Sequence, residues 1–389
     1  MIQNRMKILA IICEFNPIHL GHEYIIKEAR SMLGENGCLV CVMSGNFTQR
    51  CTPAVYDKYT RAECAAAVGA DLVLELPFPW CSCGAENFAM GGCAIAARAG
   101  AEGLVFGSES GDVGLIERLA EIKGSAEFAR KMRDIEKRER SRGSAELFEE
   151  AVRSLGVDEK LGGNDKLGCE YVLSGKRFVI GGFFPIKRTD NVRCATELRE
   201  VIAGSGFSAV SDDIPTAART ILEKHSPIDE KRYLRLLFEY IRLGGARSAG
   251  ADTAAYHILS YLEKTADGCR DEEEFFHRIP QKKYTTARLR REMLFSLVAS
   301  ACGVSEINSS QHPRFTTVLA ANERGRAHLA TLGNKADFAF VTKPSRLPAT
   351  EESEITSAQY EANKAADRVY ALTAGREAAY FIKKSPVMR

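Results

Sequence analysis

The sequence predicts an α/β protein with a doubly wound parallel sheet and a second, mainly helical domain. Up to about residue 110, near-continuous apolar runs alternate with helical stretches, which is typical of parallel strands covered on both faces. Beyond about residue 207, apolar residues recur at helical spacing. Because 389 residues are enough for two domains, we place one at 1–207 and the other at 208–389.

The first domain is predicted to contain a Rossmann-like sheet of five strands with helices between them. The strand candidates are 7–15, 38–45, 71–77, 103–109 and 177–188. The helix candidates are 22–33, 57–69, 85–100, a charged helical region within 112–160, and a helix from about residue 196. Gly69 and Gly100 fall where helix C-termini favour left-handed backbone.

The second domain is predicted to be mostly amphipathic helices. They span 213–224, 230–244, 253–265, 282–300 and, near the end, 357–375. Between the last two, residues 315–343 predict one small β–α–β element.

Composition excludes several classes of protein. With 45% hydrophobic and 27% charged residues, the chain differs from disordered and coiled-coil sequences. No apolar run approaches the ~18 residues of a bilayer span, and the first apolar run is interpreted as a strand rather than a signal peptide. The 12 cysteines predict a reduced, cytoplasmic compartment, since a chain of this length needs no disulfides. Cys38 and Cys41 are expected to be buried in a strand, and no structural metal is predicted.

The net charge of +2 conceals an asymmetry between the two halves of the chain. Residues 1–210 carry 26 basic and 28 acidic side chains, whereas residues 211–389 carry 27 and 23. The halves therefore differ by sign, −2 against +4, and a nucleic-acid partner for the second half is compatible with the composition.

The most informative motif is E-F-N-P-I-H-L-G-H at 14–22, between the first strand and the first helix. A helix N-terminus directs backbone N–H groups and a positive dipole end towards an anion. His19 and His22 can donate hydrogen bonds to an α-phosphate as negative charge develops, and Gly21 allows close approach of a ligand. Metal ligation and a chance helix cap are the alternatives, but the strand–turn–helix context favours nucleotide binding.

The motif resembles the His/Thr-x-Gly-His element of the adenylyl-transferring nucleotidyltransferases and class I aminoacyl-tRNA synthetases. Six further blocks follow in order along the chain, and together the seven blocks resemble the bacterial tRNA(Met) cytidine acetate ligase family. The six are M-S-G-N-F-T-Q-R at 43–50, D-L-V-L-E-L-P at 71–77, F-G-S-E-S-G-D at 106–112, N-D-K-L-G-C-E-Y at 164–171, P-I-K-R at 185–188 and K-K-Y-T-T-A-R-L-R-R at 282–291.

The resemblance implies a two-step reaction. ATP activates acetate as acetyl-adenylate, and the acetyl group is transferred to N4 of the wobble cytidine of elongator tRNA(Met). It therefore implies ATP, with Mg²⁺, as the nucleotide and acetate and tRNA as partners. Two alternatives remain at the level of sequence: a nucleotidyltransferase that adenylylates a small phosphoester, and a diverged nucleotide-binding protein without catalysis.

The same resemblance implies an ATP-binding element and several further contacts. The element comprises Ile12, Cys13, Glu14, Phe15, Asn16, Pro17, Ile18, His19, Leu20, Gly21, His22, Glu23, Tyr24 and Ile25. The further contacts are Gly107, Asn164 and Arg188. Thr196 and Arg199 stand where related enzymes bind phosphates, with Thr196 expected to cap its helix. Cys194 departs from the serine that is usual there.

The loop after the second strand is expected to face the same crevice. There a small-residue loop with an arginine suits acetate or the β- and γ-phosphates, although an ordinary polar loop is an alternative; the residues are Ser44, Gly45, Asn46 and Arg50. Glu14 and Asp71 have the chemistry of magnesium partners. Since Glu14 can equally cap a helix and Asp71 can begin a strand, neither residue is predicted to be a magnesium ligand.

The basic run at 282–291 is the candidate RNA-binding element. It contains five basic residues and no acidic one, and it includes Lys282 and Lys283. On a helix, Tyr284, Arg288 and Arg291 share one face, which suits base stacking and phosphate contacts in a single-stranded anticodon loop. The alternative is a solvated helix face.

One segment departs from the family pattern. Residues 315–320 lie where aromatic-Ile-Arg-Val-Leu-Gly is expected, and here Thr317 and Ala320 replace Arg and Gly. If that arginine supports the RNA site, the departure implies altered specificity, for which Arg314 is a candidate substitute.

Overall fold

Five parallel strands form the first part of the sheet. The computed structural model describes residues 6–139, 143–189, 192–245, 254–280, 284–333, 337–350 and 353–389. The strands lie in the order β5-β4-β1-β2-β3, and each neighbouring pair is parallel. Their bounds are β1 Met6–Cys13, β2 Leu33–Ser44, β3 Leu72–Leu76, β4 Gly103–Ser108 and β5 Gly182–Lys187. The predicted α/β class is confirmed.

Helices connect these strands, as the sequence predicts. They are α1 Leu20–Met32, α2 Lys58–Val68, α3 Ala85–Arg98, α4 Val113–Lys123, α5 Ala126–Arg138, α6 Ser144–Ser154, α7 Gly163–Arg177 and α8 Ala195–Ser205. Gly69 and Gly100 follow α2 and α3 with φ of +128° and +77°, which confirms the expected positive-φ positions. Gly92 lets α3 approach the sheet closely, because a Cβ there would lie 2.7 Å from the Ile12 side chain.

The order of the strands creates a crevice. From β1 the chain moves outwards through β2 and β3, and then returns to the other side of β1 for β4 and β5. At such a reversal, the connections on the two sides diverge and leave a space beyond the carboxyl ends of the strands, where ligands bind in open parallel sheets. Here that space lies beyond β1 and β4.

The described residues of the remaining chain form helices and three more strands. The helices are α9 Thr216–Leu222, α10 Glu230–Arg242, α11 Ala254–Asp267, α12 Glu272–Arg278, α13 Thr286–Cys302, α14 Glu323–Leu332 and α15 Ser353–Thr373. The strands are β6 Phe315–Ala321, β7 Ala339–Val341 and β8 Val387–Met388. Strands β6 and β7 are parallel, with α14 between them, as the predicted β–α–β element requires.

These late strands extend the first sheet, so residue 207 does not bound it. Strand β6 pairs antiparallel with β3, with Leu72 opposite Ala321, and β8 pairs with β6. Side chains from both halves also share one core; the ring of Phe47, for example, lies 5.5 Å from Tyr233 and 6.1 Å from Tyr370. Strands from beyond residue 207 thus belong to the same sheet, and the division of the chain into two domains at 207 stays a prediction.

Thr317 and Ala320 lie inside the sheet. Thr317 is paired with Val341 of β7, and Ala320 lies opposite Val73 of β3; both side chains are buried. Arg314 lies 3.8 Å from Asp337 at the start of the same segment. The departure from the family pattern therefore falls on a buried strand rather than on an exposed surface.

The cysteines are free thiols, mostly in the core. Cys38 and Cys41 are buried in β2, which confirms their interpretation as strand residues. None of the helices in the described ranges has the length and apolar character needed to cross a bilayer.

Candidate active site

A cavity of about 470 Å³ lies beyond the carboxyl ends of β1, β4 and β5. Most of the predicted ligand-binding residues line it: Ile12, Cys13, Glu14, Phe15, Asn16, His19, Gly21, His22, Tyr24, Ile25, Arg50, Gly107, Asn164, Arg188, Thr196 and Arg199. Four members of the predicted ATP-binding element do not line it, namely Pro17, Ile18, Leu20 and Glu23. The fold therefore gathers side chains from six separate chain segments at the switch point of the sheet.

His19 and His22 stack on each other at the start of α1, with ring centroids 3.7 Å apart. His19 is the N-cap residue, and its Nδ1 accepts a hydrogen bond from the Gly21 N–H at 3.1 Å. Nδ1 of His22 accepts from the His19 N–H at 3.3 Å. Because both Nδ1 atoms are acceptors, each neutral ring carries its proton on Nε2.

Both rings are neutral at physiological pH. Burial, followed by the positive charge of Arg188, lowers the pKa of His19 to about 4. Burial, the neighbouring His19 and Arg188 together hold the pKa of His22 well below its usual value. Each imidazole therefore keeps one Nε2–H donor at a helix N-terminus, where a phosphate anion is favoured.

The loop that carries the histidines is held from two sides. The side-chain oxygen of Asn16 accepts the Val55 N–H at 2.8 Å. Arg199 of α8 donates to the Asn16 carbonyl at 2.9 Å and to the Thr196 hydroxyl at 3.0 Å. Arg199 thus fixes the loop as well as lining the cavity.

Thr196 does not cap α8, which corrects the expectation for this residue. Cys194 is the N-cap residue, and the Glu197 carboxylate accepts its N–H at 2.9 Å. Glu197, the third residue of the helix, thus provides the capping contact. The Thr196 hydroxyl accepts a hydrogen bond from Arg199 instead.

Glu109 contacts two residues that line the cavity, Asn164 and Arg188. Asn164, in the first turn of α7, donates its Nδ2 to Glu109 Oε1 at 2.7 Å and its N–H to Oε2 at 3.0 Å. Nη1 of Arg188 lies 3.8 Å from the same Oε1. Glu109 does not itself line the cavity, but it holds an amide and a guanidinium that do.

Glu14 is the one carboxylate among the described residues that line the cavity. Its Oε1 accepts the Gln49 N–H at 2.7 Å. Burial raises the pKa of Glu14, against the opposing effects of that hydrogen bond and of Arg61, Arg199 and Arg50. Arg50 makes no hydrogen bond or ion pair with other described residues, so its guanidinium is available to an anionic ligand.

Neither residue considered for magnesium is suited to hold it. Three guanidinium groups act on Glu14, and a cationic environment disfavours a divalent ion. The Asp71 carboxylate is buried, where it accepts from the Leu39 N–H and Asn322 Nδ2, both at 2.8 Å, and pairs with Arg30. In the described ranges, no three histidine, cysteine, aspartate or glutamate side chains cluster as metal ligands do.

The first residues of the loop after β2 do not line the cavity, which corrects the expectation for Ser44, Gly45 and Asn46. Asn46 instead donates to Asp367 of α15 at 2.8 Å and accepts the Lys58 N–H at 2.9 Å. Lys58 Nζ lies 2.6 Å from Glu75 and 2.7 Å from Asp367. Asn46 is thus held in the core by Lys58 and Asp367, and of the four predicted residues in this loop only Arg50 lines the cavity.

The predicted RNA-binding face on α13 is divided. Arg288 is 45% exposed and pairs with Glu292 at 2.6 Å, and Tyr284 is half-buried. Arg291 donates to the carbonyls of Ser82 and Gln49, at 2.7 and 3.4 Å, so it is bound to backbone rather than presented with Arg288. This corrects the expected common face. Lys282 and Lys283 lie outside the described residues.

Sequence reasoning missed Glu109, Gln49 and Lys187 as site residues. Lys187 and Gln49 line the cavity, and Glu109 organises Asn164. Glu109 directly follows β4, Gln49 lies in the loop after β2, and Lys187 is the last residue of β5. Their position at the carboxyl ends of parallel strands was the available signal.

Comparison with known proteins agrees with this geometry. The family model described as HIGH Nucleotidyl Transferase matches residues 6–383. The tRNA(Met) cytidine acetate ligase of Thermotoga petrophila is 30% identical over 369 residues, which cover 85% of this chain and 86% of that protein. The enzyme of the same name from Caldanaerobacter subterraneus subsp. tengcongensis is 28% identical and covers 94% and 95%.

The fold has solved counterparts of nearly equal length. Thermotoga maritima TmcAL, crystallised bound with alpha-thio ATP, superposes with a TM-score of 0.85 at 25% identity, covering 98% of this chain and 99% of that one. Its apo form gives a TM-score of 0.84 at 24% identity with the same coverage. The resemblance inferred from the motif blocks is thereby confirmed. The chain belongs to the HIGH nucleotidyl transferase family and, within it, to the tRNA(Met) cytidine acetate ligases.

Proposed function

We propose that this protein is an ATP-dependent ligase that converts acetate to acetyl-adenylate and acetylates N4 of the wobble cytidine of elongator tRNA(Met). One observation carries the proposal: two neutral histidines, each with an Nε2–H donor, begin a helix in the cavity at the switch point. The relatives named tRNA(Met) cytidine acetate ligase, and TmcAL bound with alpha-thio ATP, support it.

The chemistry needs an activated acyl group. Acetate has no leaving group, and the N4 amine of cytosine is a weak nucleophile. In the first step, an acetate oxygen attacks the α-phosphorus and the bond to the bridging oxygen of pyrophosphate breaks. In the second step, N4 attacks the acetyl carbonyl, the bond between the carbonyl carbon and the AMP oxygen breaks, and N4 loses a proton.

The lining residues supply positive charge and hydrogen-bond donors for the first step. His19 and His22 donate to the α-phosphate oxygens, where negative charge increases in the transition state; one such donor contributes about 10²–10³ in rate. Arg188 and Arg50 also line the cavity and pair with the triphosphate or with the acetate carboxylate.

Magnesium is assigned to the nucleotide rather than to a protein cage. Mg²⁺ is commonly held by substrate phosphates and water with only one or two carboxylates. Within the described lining, Glu14 is the single carboxylate, and the guanidinium groups acting on it oppose a cation. We therefore name no protein ligand for the ion.

The tRNA is proposed to approach across α13. Arg291 of this helix is bonded to the Gln49 carbonyl, and Gln49 lines the cavity, so α13 adjoins the site. Arg288, on the exposed side of the helix, is paired with Glu292 and can exchange this partner for a phosphate. Because its substrate is tRNA, we place the reaction in the cytoplasm.

The test measures both steps with the purified protein. Pyrophosphate release should require acetate, and mass spectrometry should detect N4-acetylcytidine after incubation with ATP, acetate and tRNA(Met). Propionate and a sugar phosphate serve as competing substrates. Release with the sugar phosphate but not with acetate, or RNA that remains unacetylated, contradicts the proposal.

A further inference from the structure

Glu109 occupies the N-terminus of α7 beside the cavity. Its two oxygens accept the backbone N–H groups of Asn164 and Asp165, at 3.0 and 3.1 Å, and the side-chain Nδ2 of Asn164, at 2.7 Å. A carboxylate is favoured there because the first turn of a helix leaves N–H groups without intrahelical partners.

This contact determines the orientation of the Asn164 amide. An ionised carboxylate only accepts hydrogen bonds, so the amide must present its NH₂ group to Glu109. Nδ2 keeps a second N–H, but the contact commits the NH₂ end of the amide to Glu109, so that Oδ1, the only acceptor atom of the side chain, lies at the other end of the amide. Since Asn164 lines the cavity, this acceptor can be used only by a ligand with a hydrogen-bond donor at that place.

We propose that Glu109 is a positioning residue that makes Asn164 select a hydrogen-bond donor on the nucleoside part of ATP. The inference deepens the proposed function, since it rests on ATP as the ligand of the cavity. The donor is either the 6-amino group of the base or a ribose hydroxyl. Both have the same chemistry, and nucleotide analogues separate them.

Gly162 gives an independent way to disturb Glu109. It is the N-cap residue of α7, with φ of −75° and ψ of 167°, which alanine also adopts. A Cβ on Gly162 would overlap the Glu109 carboxylate and force it from its place. At the next residue, Gly163, a Cβ would meet nothing within 4 Å, so Gly163→Ala is the matched control.

The experiment measures equilibrium binding of ATP, purine riboside triphosphate, 2′-deoxyATP and 3′-deoxyATP, without acetate or RNA. The wild-type protein should prefer ATP about tenfold over the analogue that lacks the selected donor, as expected for loss of one hydrogen bond. Glu109→Gln and Gly162→Ala should reduce that preference to below about twofold, whereas Gly163→Ala should retain it.

The ratio of affinities distinguishes positioning from a general loss of stability, which would weaken all four nucleotides alike. Equal wild-type binding of all four nucleotides, or an unchanged preference in both Glu109→Gln and Gly162→Ala, overturns the inference. If the wild-type protein binds no ATP, both the inference and the proposed function fail. If it binds ATP selectively but forms no acetylcytidine, only the proposed function fails.

Discussion

The two histidines of the candidate site accept hydrogen bonds at the start of α1, and each keeps a donor for the proposed ligand. Nδ1 of His19 accepts the N–H of Gly21, and Nδ1 of His22 accepts the N–H of His19. The remaining ring nitrogen is then a donor by necessity, with no need for protonation. The contacts that cap the helix therefore also orient the donors that the proposed mechanism uses.

Replacement of His22 should therefore abolish most of the first step. We expect His22→Ala to lower acetate-dependent pyrophosphate release by about 10²–10³, the usual effect of removing one transition-state donor. The matched control is His277→Ala, on the exposed side of α12, which should have the wild-type rate. Release that survives His22→Ala would show that another group stabilises the α-phosphate.

The low pKa of His19 predicts how stability depends on pH. Its folded pKa of about 4 lies below the unfolded value near 6.5, so between these values the unfolded state binds more protons. Stability should consequently fall as pH is lowered from about 6.5 to about 4, by up to ~3 kcal/mol for this residue.

Urea denaturation of the wild-type protein and His19→Gln at a series of pH values checks this prediction. The wild-type free energy of unfolding, minus that of the variant, should decrease by about this amount between pH 7 and pH 4. A difference that stays constant would mean that His19 titrates normally.

At the scale of elements, α13 has an inward and an outward arginine. Arg291 binds the carbonyls of Ser82 and Gln49, and Gln49 in turn donates its N–H to Glu14 in the cavity. Arg288, three residues earlier, is exposed beside Glu292. The helix thus contacts the loop that lines the cavity, and its exposed side is the surface that we propose for RNA.

Replacement of Arg291 and replacement of Arg288 should affect different steps of the reaction. We expect Arg291→Gln to lower acetate-dependent pyrophosphate release without RNA by several-fold, because Gln49 and Glu14 lose their support. Arg288→Gln should weaken tRNA binding and reduce the slope of log affinity against log salt by about one contact. Loss of RNA affinity in Arg291→Gln, with pyrophosphate release retained, would contradict this division.

Helical periodicity alone could not have shown that Arg288 and Arg291 have different surroundings. Spacing places Tyr284, Arg288 and Arg291 on one face, but it does not reveal that backbone carbonyls of a distant loop reach one edge of that face. The same limit applies to the loop after β2. Sequence shows that Asn46 follows a strand, whereas its partner Asp367 lies 321 residues away.

Other features were predictable because they depend on local pattern. Apolar periodicity predicts the alternation of strands and helices, and it places the cavity after the first strand. Backbone preference predicts the glycines that follow α2 and α3. The pairing of β6 with β3 could not be predicted in this way, because the sequence of a strand does not show which distant strand lies beside it.

At the scale of the whole molecule, a buried ion cluster ties distant parts of the chain together. Lys58 of α2 contacts Glu75 of β3 and Asp367 of α15, and Asn46 also contacts Asp367. Although burial lowers it, the two carboxylates raise the pKa of Lys58, so its ammonium group stays charged. The cluster fixes α15 against the sheet.

Removal of the central cation should destabilise the entire fold. We expect Lys58→Met to lower the free energy of unfolding by about 3–5 kcal/mol, since two carboxylates would remain buried without their partner. Lys364→Ala, which removes a surface ion pair with Glu361 on the same α15, should change it by less than about 1 kcal/mol. Urea denaturation measures both, and similar values for the two variants would contradict the prediction.

The antiparallel pairing of β6 with β3 has a consequence for biosynthesis. A ribosome adds Leu72 of β3 to the chain 249 residues before its partner Ala321 of β6. During that interval, the outer edge of β3 lacks its native neighbour, and unpaired sheet edges invite association with other chains. The nascent protein therefore depends on late residues to close an early strand, and a fragment ending near residue 207 should aggregate rather than fold as an ATP-binding module.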